Sequence, residues 1–76
     1  MDPEKKAREI INNYLKAMRK CETMEALDKV DNVLCAVFYA LRQVGAIHDD
    51  DCVAYDHIIL DVYFKRKDLL ERDCDF

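Results

Sequence analysis

Residues 33 to 41 read Val33-Leu34-Cys35-Ala36-Val37-Phe38-Tyr39-Ala40-Leu41, the longest uninterrupted apolar run in the chain. The run is far shorter than the roughly 20 residues that cross a bilayer, so it predicts a buried helix rather than a membrane span. A helix that is apolar on every side has to be covered on more than one side. We therefore expect either that neighbouring helices sandwich it or that it forms a dimer interface. That interface would be built on Val33, Val37, Ala40 and Leu41.

This run is the second half of a longer apolar series with helical spacing. The series comprises Leu27, Val30, Leu34, Val37, Phe38, Leu41 and Val44. Thr23 stands just before it, where a side-chain oxygen can accept from a free N–H at a helix start. Gly45, the only glycine, follows the series at the position where helices often end in a left-handed residue. These signals predict a helix over residues 24 to 44, with Cys35 in its most buried part.

Amphipathic patterns lie on both sides of this helix. Asp2-Pro3-Glu4 has the residue types of a helix start, and the pattern behind it predicts a helix over about residues 3 to 20. Asp49-Asp50-Asp51 supplies a cap and negative first-turn charge for a third helix, over about residues 50 to 70. Short links imply antiparallel neighbours. The sequence thus predicts one all-α domain over residues 1 to 76, an up-down-up three-helix bundle with a frayed tail at 71 to 76.

Composition narrows the class of protein. The 76 residues are 51% hydrophobic and 37% charged, with one Gly and one Pro, which is too apolar for disorder and too poor in turn residues for a many-stranded β fold. A chain of this size buries only about 60% of its unfolded surface, so its stability margin is thin. No signal-peptide pattern is present, and four widely spaced cysteines do not require a disulfide framework. We expect a cytoplasmic protein with reduced thiols.

The charge is unevenly spread along the chain. The net charge is −4; residues 1 to 20 carry six basic and three acidic groups, whereas residues 45 to 64 carry five Asp and no Lys or Arg. An acidic chain without a basic stripe is poorly suited to direct binding of nucleic acid. A protein partner with a basic surface fits better, and the predicted contact residues on the third helix are Asp49, Asp50, Asp51, Asp56 and Asp61. The basic groups at the ends of the first and third helices should lie together at the opposite pole.

The sequence contains no clear pattern for a metal site or a catalytic site. His48 and Cys52 lie four residues apart, but His57 is about 140° further round the helix from Cys52, so a metal site is disfavoured. The three consecutive Asp lack the glycine and terminal Glu of a calcium loop. His57 and Asp61 have the spacing of an ordinary helix ion pair, and no cysteine lies in a setting that favours a thiolate. We predict no enzymatic activity, no metal and no cofactor.

Residues 14 to 30, which read Tyr-Leu-Lys-Ala-Met-Arg-Lys-Cys-Glu-Thr-Met-Glu-Ala-Leu-Asp-Lys-Val, resemble the Hha/YmoA family of small nucleoid-associated regulators. The stretch Ala54-Tyr55-Asp56-His57 is similar to the Ala-Ala-Asp-His of that family. The resemblance implies a small helical protein that binds DNA little by itself and docks onto a nucleoid protein through charged contacts. It also implies that Glu25, Asp28 and Asp56 are acidic contact residues.

The leading hypothesis is accordingly a non-enzymatic regulator or inhibitor that binds a basic protein surface. Two alternatives stay open at this point. One is a phage- or plasmid-type inhibitor of a nucleic-acid-processing complex, in which an acidic surface mimics DNA phosphates, although a net charge of −4 is small for full mimicry. The other is a small metal-binding or thiol-redox protein.

Overall fold

The computed structural model describes residues 3 to 74, and the side chains of residues 3 to 72. It contains three helices, α1 (Pro3–Lys20), α2 (Met24–Gln43) and α3 (Asp49–Cys74), and each helix packs against the other two. The connections at residues 21–23 and 44–48 are too short for neighbouring helices to run parallel. The predicted all-α three-helix bundle is confirmed. It is elongated, with extents of 48 × 19 × 16 Å.

The two ends of α2 follow from local side-chain and backbone chemistry. Thr23 is the N-cap, and its Oγ1 accepts from the Ala26 N–H at 3.1 Å. At the other end Gly45 has φ +76°, while its N–H donates to the Arg42 carbonyl and the Ala46 N–H donates to the Leu41 carbonyl. This pair of hydrogen bonds closes a helix at a residue in the left-handed conformation. Glycine adopts that conformation without a steric clash because it has no Cβ. The helix ends at Gln43, one residue before the predicted end, because Val44 is already the cap.

The core runs along the axis of the bundle. Each helix contributes side chains at helical spacing, and the connections contribute Cys21, Ala46 and Ile47. The helical core residues are Ala7, Ile11, Leu15 and Met18 from α1, Leu27, Leu34 and Phe38 from α2, and Cys52, Ile59, Val62 and Leu70 from α3. Phe38 also meets the Tyr55 ring edge-on, with 6.2 Å between the ring centres. In α1 and α2 the apolar series therefore specifies which face is buried, whereas α3 also carries exposed apolar side chains.

The run at residues 33 to 41 is covered on one side only. Leu34 and Phe38 are buried, but Val33 is 47% exposed and Tyr39 is 63% exposed. Cys35 is exposed, which corrects the expectation that it is among the most buried residues. It lies about 100° round the helix from Leu34 and so sits at the side of the helix, beside the buried face and not within it. Of the predicted dimer residues, Ala40 is exposed and Val37 and Leu41 are half-buried.

The end of α3 differs from the prediction. The helix begins at Asp49 and continues to Cys74, so residues 71 to 74 are helical rather than frayed. Nothing after Gly45 could stop the helix, since the chain has no other Gly and its one Pro is Pro3. Ion pairs at i,i+4 spacing also support the last turns, between Lys67 and Glu71 at 3.9 Å and between Asp68 and Arg72 at 2.8 Å. Residues 75 and 76 of the predicted tail lie outside the described residues.

Among the described residues, no helix combines the length and the apolar character that crossing a bilayer requires.

Candidate functional site

Acidic side chains from α2 and α3 come together along the exposed line where these two helices meet. We call this line the acidic groove and define it by Asp28, Asp31 and Cys35 on α2 and by Asp56 and Tyr63 on α3. The Tyr63 hydroxyl donates to Asp28 Oδ1 at 2.6 Å, across the groove. One turn along α2 the Cys35 thiol donates to Asp31 Oδ1 at 4.0 Å, a weak contact. Because the helices are antiparallel, Asp56 lies near the Cys35 end of the groove and Tyr63 lies near the Asp28 end.

The acidic side chains of the groove raise the pKa values of their neighbours. Burial raises the pKa of Asp31 above its usual 3.8, and the neighbouring Asp28 carboxylate raises it further. Burial is also the largest cause that raises the pKa of the Cys35 thiol above 9.0, followed by the charges of Asp31 and Asp56. The hydrogen bond to Asp28 raises the pKa of Tyr63 to about 12. The groove therefore concentrates negative charge and opposes any further anion within it.

The three groove carboxylates have no cationic partners. Within residues 3 to 72, none of Asp28, Asp31 and Asp56 forms an ion pair. Some carboxylates outside the groove are paired, as Asp61 is with Lys65 at 2.9 Å and Asp68 is with Arg72 at 2.8 Å. Gathering unpaired like charges destabilises a fold. A cationic surface from outside the chain would relieve that repulsion.

The structure divides the acidic residues that the sequence analysis grouped together. Asp28 and Asp56 lie in the acidic groove, as just described. Asp49, Asp50 and Asp51 are exposed in the first turn of α3, where negative charge complements the helix dipole. The remaining two are paired with lysines on their own helices: Glu25 with Lys29 at 3.4 Å, and Asp61 with Lys65. The prediction that His57 pairs with Asp61 is wrong, because the Asp61 partner is Lys65.

Three groove residues are absent from the predicted contacts: Asp31, Tyr63, and Cys35, which was expected to be buried. Asp31 stands three residues after Asp28, a spacing that puts both on one side of a helix, and this signal is visible in the sequence. Tyr63 carries no signal of this role in the sequence. Its hydroxyl contact with Asp28 depends on how α3 is rotated against α2, which the apolar pattern does not fix.

Basic residues of α1 and α3 come together, as expected, but those of α3 lie within the helix and not at its end, because α3 continues to Cys74. Arg19, Lys65 and Arg66 line an open cleft of about 250 Å³ between these helices, together with Asp61, Val62 and Leu69. The Arg66 Nε donates to the Cys21 carbonyl at 2.7 Å, just after α1 ends. Arg19 lies in the last turn of α1, where a cation complements the helix dipole. Lys65 and Arg66 lie well before the end of α3, and they contact Asp61 and the Cys21 carbonyl instead.

The residues considered for metal or thiol chemistry are dispersed. His48 pairs with Glu4 on α1 rather than turning toward Cys52. Within the part of the chain whose side chains are described, no three His, Cys, Asp or Glu side chains converge in a way that could hold a metal ion. Cys21, Cys35 and Cys52 are free thiols, and the side chain of Cys74 lies outside the described residues.

Comparison of the chain with protein-family models, with curated proteins and with solved structures finds no match.

Proposed function

We propose that this protein is a non-enzymatic, cytoplasmic regulator or inhibitor that works by docking its acidic groove onto a basic surface of a partner protein. The observation that carries the proposal is the set of carboxylates Asp28, Asp31 and Asp56, gathered from two helices without an internal cation. Their arrangement depends on the tertiary fold, since α2 and α3 contribute different members. A cationic partner surface complements such a patch and steers the approach of the two proteins.

The partner class follows from the same charges and from the resemblance. Asp28 and Asp56, the positions that the Hha/YmoA resemblance implies as contacts, both belong to the acidic groove. The third implied contact, Glu25, is exposed and paired with Lys29, so it is not part of the proposed contact. A nucleoid protein or another nucleic-acid-binding protein carries the kind of basic surface that fits. The chain itself acts on the protein and not on the nucleic acid.

A pull-down from the lysate of the native host, treated with nuclease, tests this proposal. The test variant carries Asp28→Asn, Asp31→Asn and Asp56→Asn. The control variant removes as much charge from ion pairs outside the groove, with Glu25→Gln, Asp61→Asn and Asp68→Asn. Circular dichroism establishes that both variants keep their helical content.

We expect the wild type and the control to retain one dominant basic protein and the groove variant to lose it. Binding to an unpaired, gathered set of carboxylates should respond more strongly than binding to charges that are already compensated. Equal retention by the groove variant and the wild type would refute the acidic groove as the docking surface. Equal loss from both variants would mean that only net charge matters, and this would refute the proposal as well.

A further inference from the structure

The outer face of α3 carries apolar side chains that no other helix covers. Val53, Leu60 and Phe64 are 60%, 53% and 55% exposed. At about 100° per residue they fall within about 40° of one another, so they form one line along the helix. Val62, which is buried in the core, lies about 180° from Val53. We call Val53, Leu60 and Phe64 the outer stripe.

The outer stripe has the dimensions and order of a contact surface. From Val53 to Phe64 it extends about 16 Å, which is three helical turns. The Phe64 ring meets Tyr63 edge-on at 5.4 Å, and the Lys67 ammonium lies 6.0 Å from the centre of the same ring. Single exposed apolar residues are common on proteins, but an aligned set on one helix face is typical of an interaction site.

The charges around the outer stripe identify the kind of partner. Residues 49 to 61 carry five Asp and no Lys or Arg, so the Val53 and Leu60 half of the stripe has acidic borders. Asp49 and Asp56 lie on one side and Asp50 on the other, and none of them forms an ion pair among the described side chains. At the Phe64 end, Lys67 pairs with Glu71 and Arg72 pairs with Asp68, which balances the charge there. An anionic membrane would be repelled by these borders, whereas cations beside an apolar surface would be attracted.

We propose that the outer stripe binds a basic amphipathic helix of a partner protein, with the partner's apolar face on Val53, Leu60 and Phe64 and its Lys or Arg residues beside Asp49, Asp50 and Asp56. The spacing of seven and then four residues is the spacing with which one helix presents anchors to another. This inference rests on the proposed function, because it names the form of the basic surface that docks. Asp56 borders both surfaces, so one partner reaches the acidic groove and the outer stripe together.

The test uses the full chain, labelled with ¹⁵N, and three synthetic peptides. The first contains Leu and Lys ordered to form an amphipathic helix. The second has the same composition in an order that forms no apolar face, and the third has Glu in place of Lys. Amide shift changes map the contact, and the titration gives the affinity. The test variants are Leu60→Gln and Leu60→Ala. The matched control is Leu69→Gln, because Leu69 is 48% exposed on the α1 side of the same helix.

We expect the first peptide to shift amides around Val53, Leu60 and Phe64, and both Leu60 variants to weaken it by about tenfold or more, as loss of a central anchor does. Leu69→Gln should bind as the wild type does, and the other two peptides should bind much more weakly. If the second peptide binds as well as the first, or if shifts are confined to the acidic groove, the outer stripe is not the binding site. The proposed function would remain standing in either case. Absence of binding by the first peptide would also refute the outer stripe as a binding site. Dimerisation of the free chain that Leu60→Gln abolishes would assign the stripe to a second copy and overturn it too.

Discussion

Replacing Asp31 by Asn should stabilise the protein while it weakens docking. Burial and the Asp28 carboxylate hold the pKa of Asp31 above 3.8, which means that the fold disfavours the ionised form. Asn keeps the size of the side chain and removes the charge. Because Asp31 is only half-buried, solvent screens part of the repulsion, and we expect a gain of about 0.5 kcal/mol. With a urea slope of about 1 kcal/mol/M for a chain of this size, the midpoint of unfolding should rise by about 0.5 M.

The pH dependence of this gain has a definite sign. Between pH 3.8 and the raised pKa, the folded chain binds the Asp31 proton more tightly than the unfolded chain does. The contribution of Asp31 to stability therefore falls as the pH rises through that interval, and the penalty is complete above it. Below pH 3.8 both states are protonated. The advantage of Asp31→Asn should thus be present at neutral pH and disappear near about pH 3.

A second carboxylate supplies a control with the opposite sign. Asp61 pairs with Lys65 at 2.9 Å on the surface of α3, so Asp61→Asn should destabilise the fold by about 0.3 kcal/mol. Urea unfolding followed by circular dichroism, in the presence of a reducing agent, measures both variants against the wild type. If Asp31→Asn lowers the midpoint at neutral pH, or if its gain persists unchanged at low pH, the assignment of repulsion to the acidic groove is wrong.

Asp31→Asn should also change the reactivity of the neighbouring Cys35 thiol. The Asp31 charge is one cause of the raised pKa of Cys35, after burial. Asp31→Asn should therefore lower the pKa of Cys35 toward 9.0 and increase the thiolate fraction at neutral pH. The rate at which Cys35 reacts with iodoacetamide, followed by mass spectrometry of its peptide, should rise. An unchanged rate would show that the Asp31 charge does not reach the thiol.

Three further outcomes are expected. Leu34→Ala should destabilise the fold by about 2–5 kcal/mol in urea unfolding, because Leu34 is 0% exposed, and a loss below about 1 kcal/mol would contradict its place in the core. Asp28→Asn should lower the pKa of Tyr63 from about 12 toward 10.0, measured by a phenolate absorbance titration with Tyr63→Phe as the reference. The hydrogen bond between Tyr63 and Asp28 stabilises the fold fully below pH 10.0, and this stability is lost as the pH rises through about 12. If the exposed side of α2 pairs two copies, Val33→Asp should convert a sedimenting dimer to a monomer, and equal sedimentation of both forms would contradict that interface.

Much of the fold could be predicted from the sequence because its signals are local. Thr23 and Gly45 act through hydrogen bonds within a few residues of themselves, so they placed the ends of α2 to within one residue. The end of α3 lacked any such signal. Glu71 and Arg72 extend the helix through ion pairs with residues one turn earlier, and a charged segment after an apolar pattern does not by itself indicate fraying.

The candidate site was less predictable, because it depends on which faces of two helices meet. The acidic residues of α3 were read as one surface from their density along the chain. In the fold, Asp56 faces α2 and Asp61 borders the cleft with Arg19 on α1, so the set is divided by the rotation of the helix. A helix with a single apolar stripe would have fixed that rotation. In α3 the exposed Val53, Leu60 and Phe64 compete with the buried residues in the pattern.

That ambiguity in α3 is itself informative about function. A helix packed against only two neighbours leaves part of its circumference in solvent, and folding alone does not require apolar residues there. The chain nevertheless places Leu60 and Phe64 on that outer side, while Asp61 and Lys65 line the cleft toward α1. Exposed apolar lines carry a cost in unwanted association, which acidic borders reduce. If the proposed docking is right, the same acidic borders also attract the cationic partner, so one arrangement of residues would both discourage unspecific contacts and favour a basic helix.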